Sequence, residues 1–528
     1  MTDTFDDAFD QALEQLERDR ILPRIWQRDH TVWRPDPTEI ADRLGWLDAP
    51  ATMARQVADL HRHAAEARDA GVRDVVLLGM GGSSLGAEAL ARCLDLAPGM
   101  PRLHVLDSTV PDWVRRVRAA VDPAQALFVV ASKSGTTAEV QALCDYFWAE
   151  TAVEVHEPGE RFAAVTDPGT PLEQLARELD FRFLLLNPAD IGGRFSVLSC
   201  FGLFPAALAG ADIGLLLDRA LAAAGDCGPE IAAANNPAAR LAAFLAAGAR
   251  LGRPKLTLLT PPRLAAFGLW AEQLLAESTG KDGTGILPVV GEPWVGADAY
   301  GGDRIFVALR LGDGDREAAA RLAALREARQ PLFELRLEDS YGLGRELFVW
   351  QLATAVAGHL LGVHPFDQPD VQAAKDRTKA LLARYESEGA LPRIEAPLDL
   401  PAELAGGRPE YVALLAYLDA GEELEAAVTE MRAALLRRGI PSTFGYGPRY
   451  LHSTGQLHKG GIAGGVHVLL LPARQEDLPL PGRGYGFATL AAAQAAGDLL
   501  ALQGAGRRCL RLELQRPAAE LRSLAARL

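Results

Sequence analysis

Cysteine is scarce in this chain and never clustered. The 528 residues include five (Cys93, Cys144, Cys200, Cys227 and Cys509), scattered without a CxxC pair. That excludes a disulfide framework and fits a reducing, cytoplasmic setting. With no HExxH motif and no cysteine cluster, no metal site is expected, and no cofactor. Long apolar runs are also missing, since no stretch approaches the ~20 continuous apolar residues of a membrane span. The N-terminus, MTDTFDDAFDQALEQLERDR, has neither the basic start nor the apolar core of a signal peptide. Positive charge is in deficit, with 54 Lys and Arg against 69 Asp and Glu, a formal net charge of −15. A general nucleic-acid binder normally carries a basic face, so nucleic acid is not expected as a partner, and neither is a membrane. A local pocket can still hold an anion.

What is present is alternation. Residues 1–50 read as an N-terminal arm. From there the helical ATMARQVADLHRHAAEARDAG is followed by the apolar DVVLLG, the pattern of a strand buried on both faces. The same alternation continues through RLHVLDS, ALFVVAS and RFAAVTD as strands, each followed by a helical stretch. Such units predict a parallel sheet flanked by helices over residues 51–225. A second round, with PKLTLLTPP, GILPVV, DRIFVALRL and LFELRLED as strands, predicts another α/β domain over 226–390. The Pro- and Gly-rich IEAPLDLPAELAGGRP reads as a linker opening a C-terminal α/β region, 391–528, with VHVLLLP and CLRLELQ as its strands.

Two strands end in glycine and hydroxyl residues, VVLLGMGGSSLG at 75–86 and FVVASKSGTT at 128–137. In an open parallel sheet, ligands sit beyond the carboxyl ends of strands. Gly79, Gly81 and Gly82 allow a sharp turn with exposed N–H groups, and Ser83 and Ser84 add donors at a helix start. Ser132, Lys133, Ser134, Thr136 and Thr137 form a denser donor set before another helix. One hydroxyl there would suffice as an N-cap. Neither stretch is a P-loop or a complete dinucleotide fingerprint, because Ser84 stands where the last glycine of G-x-G-x-x-G belongs. The pattern points to a small phosphorylated ligand, a sugar phosphate.

GMGGSSLG, SKSGTT, GGRFSVLS (192–199), QLLAESTGKDG (273–283) and FDQPDVQAAK (366–375) together resemble the glucose-6-phosphate isomerase family, built from sugar isomerase domains. A closer resemblance, including GPRYLHSTGQLHKGG and GYGFATLAAAQAAGDLLAL, is to the isomerase half of bifunctional transaldolase/glucose-6-phosphate isomerase proteins. Without room for a transaldolase half, this implies a free-standing isomerase. The fold implied is two sugar isomerase domains plus the C-terminal α/β region.

Aldose–ketose isomerisation of a sugar phosphate needs a base, a stabiliser of enediolate charge and help in opening the ring. Gln273 and Glu277 lie four apart on a helical run and share a face. The resemblance makes Glu277 the base and Arg194, beside Gly193, the charge stabiliser. It assigns Gln368 and Lys375, seven apart and so close to two helical turns, to the substrate, with Lys375 near the ring oxygen. It also implies contacts from Gly82, Ser83 and SKSGTT. The family's ring-opening histidine normally follows a Gly-Gln pair between the glutamate and FDQ motifs, and this chain has none there. The Gly-Gln-then-His cadence of HSTGQLHKGG makes His458 the first candidate and His452 the second, since imidazole exchanges protons near neutrality. Family members commonly form dimers with a histidine reaching across the interface, so a homodimer is possible. Glucose 6-phosphate and fructose 6-phosphate are the expected substrates. Another sugar phosphate, or a non-catalytic phosphosugar-binding regulator, are the alternatives.

Overall fold

The structure, a computed structural model, describes residues 4–312, 314–392, 394–396 and 399–528. Three parallel sheets follow one another along the chain. The first contains β1 (Asp74–Gly79), β2 (Arg102–Leu106), β3 (Ala126–Ala131), β4 (Phe162–Thr166) and β5 (Phe183–Leu186), in the order β2-β1-β3-β4-β5. The second contains β6 (Lys255–Leu259), β7 (Leu287–Val290), β8 (Arg304–Leu311) and β9 (Leu332–Leu337), in the order β7-β6-β8-β9. The third contains β10 (Tyr411–Ala416), β11 (Ser442–Tyr446), β12 (Gly465–Pro472) and β13 (Arg508–Leu514), in the order β11-β10-β12-β13. Taken from its own first strand, each sheet begins 2-1-3-4. One topology is therefore used three times in a chain whose sequence carries no visible short-period repeat.

The apolar runs behave as their composition predicts. All six residues of β1 and of β3 are buried, because helices cover both faces of the first sheet. One continuous core joins Val75, Leu77 and Val129 of that sheet to Leu256 and Val307 of the second. The N-terminal arm packs into the same core. Its Trp26 indole donates to the Cys227 carbonyl at 2.9 Å and its Trp33 indole to that of Ala355 at 2.8 Å. The third sheet has an apolar core on each face, one of which takes in Ala276 and Val289 from the middle of the chain. Three strands escape the sequence reading: β5, β10 and β11. Within the expected linker, Leu400–Ala405 is a short helix, while residues 397 and 398, like 1–3 of the arm, lie outside the described residues.

In an order 2-1-3-4-5 the chain reverses its direction of growth between β1 and β3, and the loops leaving those two strands diverge to leave a crevice. GMGGSSLG leaves β1 and SKSGTT leaves β3. The topology thus places both motifs at one opening.

Candidate active site

A cleft of about 530 Å³ opens at that point. Its walls come from stretches far apart in sequence, among them 80–83, 133–137, 167–170, 192–195, the helix Phe267–Thr279, and the start of the helix Pro369–Glu388. His452, on the turn Arg449–His452 from the C-terminal third, lines it as well. Twelve of the fifteen expected site residues line it: Gly82, Ser83, Lys133, Ser134, Thr137, Gly193, Arg194, Gln273, Glu277, Gln368, Lys375 and His452.

The glycines work by allowing approach. A Cβ on Gly82 would stand 1.9 Å from the Gly193 carbonyl oxygen, so the first loop and the Gly-Gly-Arg turn can touch only through glycine. Gly81, at φ +56°, similarly faces the His452 carbonyl, which would lie 2.6 Å from an added Cβ. These two residues bring three loops together around the cleft, a role that a reading in terms of anion-binding N–H groups misses.

SKSGTT is folded on itself. Ser132 Oγ accepts from the Gly135 N–H at 3.1 Å and meets Thr137 Oγ1 at 3.0 Å, and Ser134 Oγ lies 2.9 Å from Thr136 Oγ1. The 17-residue helix Ala138–Glu154 begins there, and no side chain caps its N-terminus. Its first N–H groups are the positive end of the helix dipole and suit an anion. Ser132 shapes the turn from a buried position, and Thr136 faces a neighbouring chamber of about 700 Å³ instead. Lys133 is already engaged, its ammonium ion-paired with Asp167 and donating to the Ala189 carbonyl at 2.8 Å. Burial nevertheless raises the Asp167 carboxyl above its usual value.

The chemistry gathers on the helix Phe267–Thr279. Gln273 Nε2 donates to Glu277 Oε2 at 3.2 Å, as the four-residue spacing requires, and to the His452 carbonyl at 2.7 Å. Its own Oε1 is buried without a hydrogen-bond partner. Arg194 Nη1 stands 3.3 Å from Glu277 Oε2, with both side chains about 5–7 % exposed. Arg194 Nη2 donates to the Asp367 carbonyl at 2.8 Å, and Lys281 pairs with Asp367 Oδ1 at 2.5 Å. Two cations therefore hold the loop that presents Gln368, which stands just before Pro369 at the helix start. Burial and the neighbouring Arg194 push the Lys281 ammonium down to about 8. Sequence reasoning missed Lys281, although it follows Glu277 in the same ESTGK run.

The two candidate histidines separate. His452 lines the cleft, and its Nε2 lies 3.1 Å from Glu139 Oε1. Glu139 also accepts from Gln494 Nε2 at 2.7 Å. Burial opposes ionisation of Glu139, yet the His452 charge and hydrogen bond outweigh it and hold the carboxyl below its usual value. His458, the first candidate, is not at the cleft. It lies in the short helix Gly455–Gly460, 1 % exposed, with ring centroids of Tyr411 and His467 at 6.1 and 5.1 Å. Burial, reinforced by His467, drives its pKa well below the ordinary value, so it stays neutral. The cadence that marked it is helix packing. No group of three or more metal-ligating side chains is found among the described residues.

A further cleft of about 620 Å³ opens between the third sheet and the helix Phe487–Gly504. Alanine and leucine of that helix and of β12 form one side of it. The ion pair on its rim, Arg511 with Glu513, is partly exposed, unlike the buried pair of Arg194 and Glu277.

A family model described as phosphoglucose isomerase matches residues 58–220. The glucose-6-phosphate isomerase of Symbiobacterium thermophilum is 33% identical over 408 residues, which cover 67% of this chain and 90% of that protein. That of Rubrobacter xylanophilus is 31% identical, over 71% of this chain and 95% of its own length. Among solved structures, a hypothetical protein of Thermus thermophilus aligns with a TM-score of 0.62 at 27% identity, over 72% of this chain and 98% of that one. A glucose-6-phosphate isomerase from Chlamydia trachomatis shares the fold, with a TM-score of 0.61 at 21% identity over 72% and 86%.

Proposed function

The chain belongs to the glucose-6-phosphate isomerase family, and from that premise we propose that it interconverts D-glucose 6-phosphate and D-fructose 6-phosphate through an enediol. The observation that carries this reading is the buried Glu277–Arg194 pair, backed by Gln273, at the mouth of an uncapped helix N-terminus. A binding module needs the hydroxyl loop but has no use for a base facing a cation.

The phosphate enters at Ser134, Thr137 and the first N–H groups of the helix Ala138–Glu154. His452 exchanges a proton with the ring oxygen, and Glu139 orients the imidazole and supplies its counter-charge. Lys375, at the edge of the same space, adds positive charge near that oxygen. Once the chain is open, Glu277 takes the proton from C2 of the aldose and returns it to C1, while O1 and O2 exchange the complementary proton. Arg194 stabilises the negative charge that develops on the enediolate oxygens. Neither electrons nor atoms leave the substrate, so no redox partner is required. The buried free cysteines fit a cytoplasmic setting.

The experiment is a coupled assay of fructose 6-phosphate to glucose 6-phosphate with wild type and Glu277→Gln. Turnover by wild type that falls at least ~10³-fold in the variant supports the reading. Equal rates in the two proteins defeat it.

A further inference from the structure

The turn bearing His452 belongs to the third sheet's lobe, yet its Arg449 and His452 both pair with carboxylates of the first. Arg449, three residues earlier, is 12% exposed and lies between two carboxylates, Glu88 Oε2 at 2.7 Å and Asp107 Oδ2 at 2.7 Å. Asp107 follows β2, and Glu88 lies on the helix Leu85–Cys93 that follows GMGGSSLG. Asp107 Oδ2 also accepts from Ser84 Oγ at 3.0 Å. The second serine of the glycine motif thus faces away from the cleft and serves this ion pair. Around it, Ser108 Oγ donates to the Gly447 carbonyl at 3.3 Å, and Thr109 Oγ1 donates to Gln494 Oε1 at 2.6 Å. On the lobe's own side, Tyr450 donates to Asp498 at 2.7 Å, and Asp498 pairs with Lys459.

We propose that Arg449 is a positioning residue: by clamping the turn 447–453 onto Glu88 and Asp107 it sets His452 over the cleft, so that one chain completes its own active site. This deepens the isomerase reading and rests on it. A guanidinium can meet two carboxylates at once through a planar fork, whereas an ammonium is a single point, so lysine is not its equal here. Removing this buried cation would take from Asp107 its ion-pair partner and leave Glu88 with Arg92 alone. Burial works against ionisation of Glu88, and the Arg449 and Arg92 charges overcome it and hold its carboxyl below the usual value.

Two measurements test the proposal. In the first, Glu277→Gln and His452→Ala proteins are co-expressed, purified together and assayed on fructose 6-phosphate. A site completed within one chain gives no recovery above the sum of the separate variants. Recovery toward a quarter or more of the wild-type rate would mean that subunits exchange the histidine, and would overturn the proposal. In the second, Arg449→Met and Arg449→Lys are compared by kinetics and thermal melting. In folded Arg449→Met, kcat is expected to fall ~10–100-fold with KM within about twofold of wild type, since the phosphate loop is untouched, and Arg449→Lys recovers part of the loss. Unchanged kcat in folded Arg449→Met, or a parallel rise in KM, removes the positioning role. Should Arg449→Met not fold, Glu88→Gln carries the same expectation at a smaller amplitude. Absence of turnover in wild type would instead count against the isomerase reading itself.

Discussion

His452 and His458 stand six residues apart in one glycine-rich stretch and have opposite fates. The first sits on the turn Arg449–His452, faces the cleft and pairs with Glu139. The second sits one short helix later, packed neutral between Tyr411 and His467. Both are histidines, and the Gly-Gln-then-His spacing favours the second. What differs is which side of the chain faces the first sheet, and that is set by Arg449 docking on Glu88 and Asp107. Function follows from the dock, and the motif alone does not reveal it.

The sharpest way to break this comparison is His452→Ala. Loss of a positioned general acid–base group should lower kcat on cyclic substrate by ~10²–10⁴, with the melting temperature little changed. His458→Ala should do the reverse, costing about 2–4 kcal/mol of stability measured by denaturant unfolding, while the folded fraction keeps wild-type kcat. Were His458→Ala to abolish turnover in a stable protein, the assignment of the two rings would have to be exchanged. Glu139→Gln, which leaves His452 a hydrogen-bond partner but removes the carboxylate beside it, is expected to reduce kcat on cyclic substrate by ~10-fold.

The smallest effect extends the comparison to carboxylates. Glu272 and Glu277 share a helix, but Glu272 points away from the cleft toward Arg432 and Arg449, where burial raises its pKa to about 8. Its folded pKa lies above the unfolded value, so the native state holds the proton more tightly. The corresponding stability is complete below the ordinary carboxylate range and is lost as pH rises through about 8. Glu272→Gln removes that loss. Chemical denaturation at pH 6 and pH 9 should show a smaller decline in the variant, by about 1–2 kcal/mol. An identical decline in both proteins would mean that Glu272 is ionised throughout.

Much of the fold is legible because parallel strands buried on both faces leave uninterrupted apolar runs, as in DVVLLG and ALFVVA. β10 is equally apolar but follows directly on a Pro- and Gly-rich stretch, so its pattern merges with that of a linker. β11, STFGY, carries a glycine and runs into the Gly447–Pro448 turn, which gives it the composition of a loop. At the cleft, helical spacing puts Gln273 and Glu277 on one face, while the roles of Glu277, Gln368 and Lys375 are legible only through the family resemblance. Lys281, Glu139 and Arg449 are legible in neither way, because each acts through a partner more than 80 residues away in sequence. Anion binding is an incomplete reason for the glycines of GMGGSSLG. They serve contact between loops at least as much as contact with an anion, and Ser84 serves neither.

Where the substrate lies can be seen in a crystal structure with bound fructose 6-phosphate. The phosphate is expected at Ser134, Thr137 and the N-terminus of the helix Ala138–Glu154, C1 and C2 against the Glu277 carboxylate, and the ring oxygen within reach of His452. A sugar whose C1 and C2 lie away from Glu277, or one seated in the alanine-lined cleft of the third sheet, would contradict this placement.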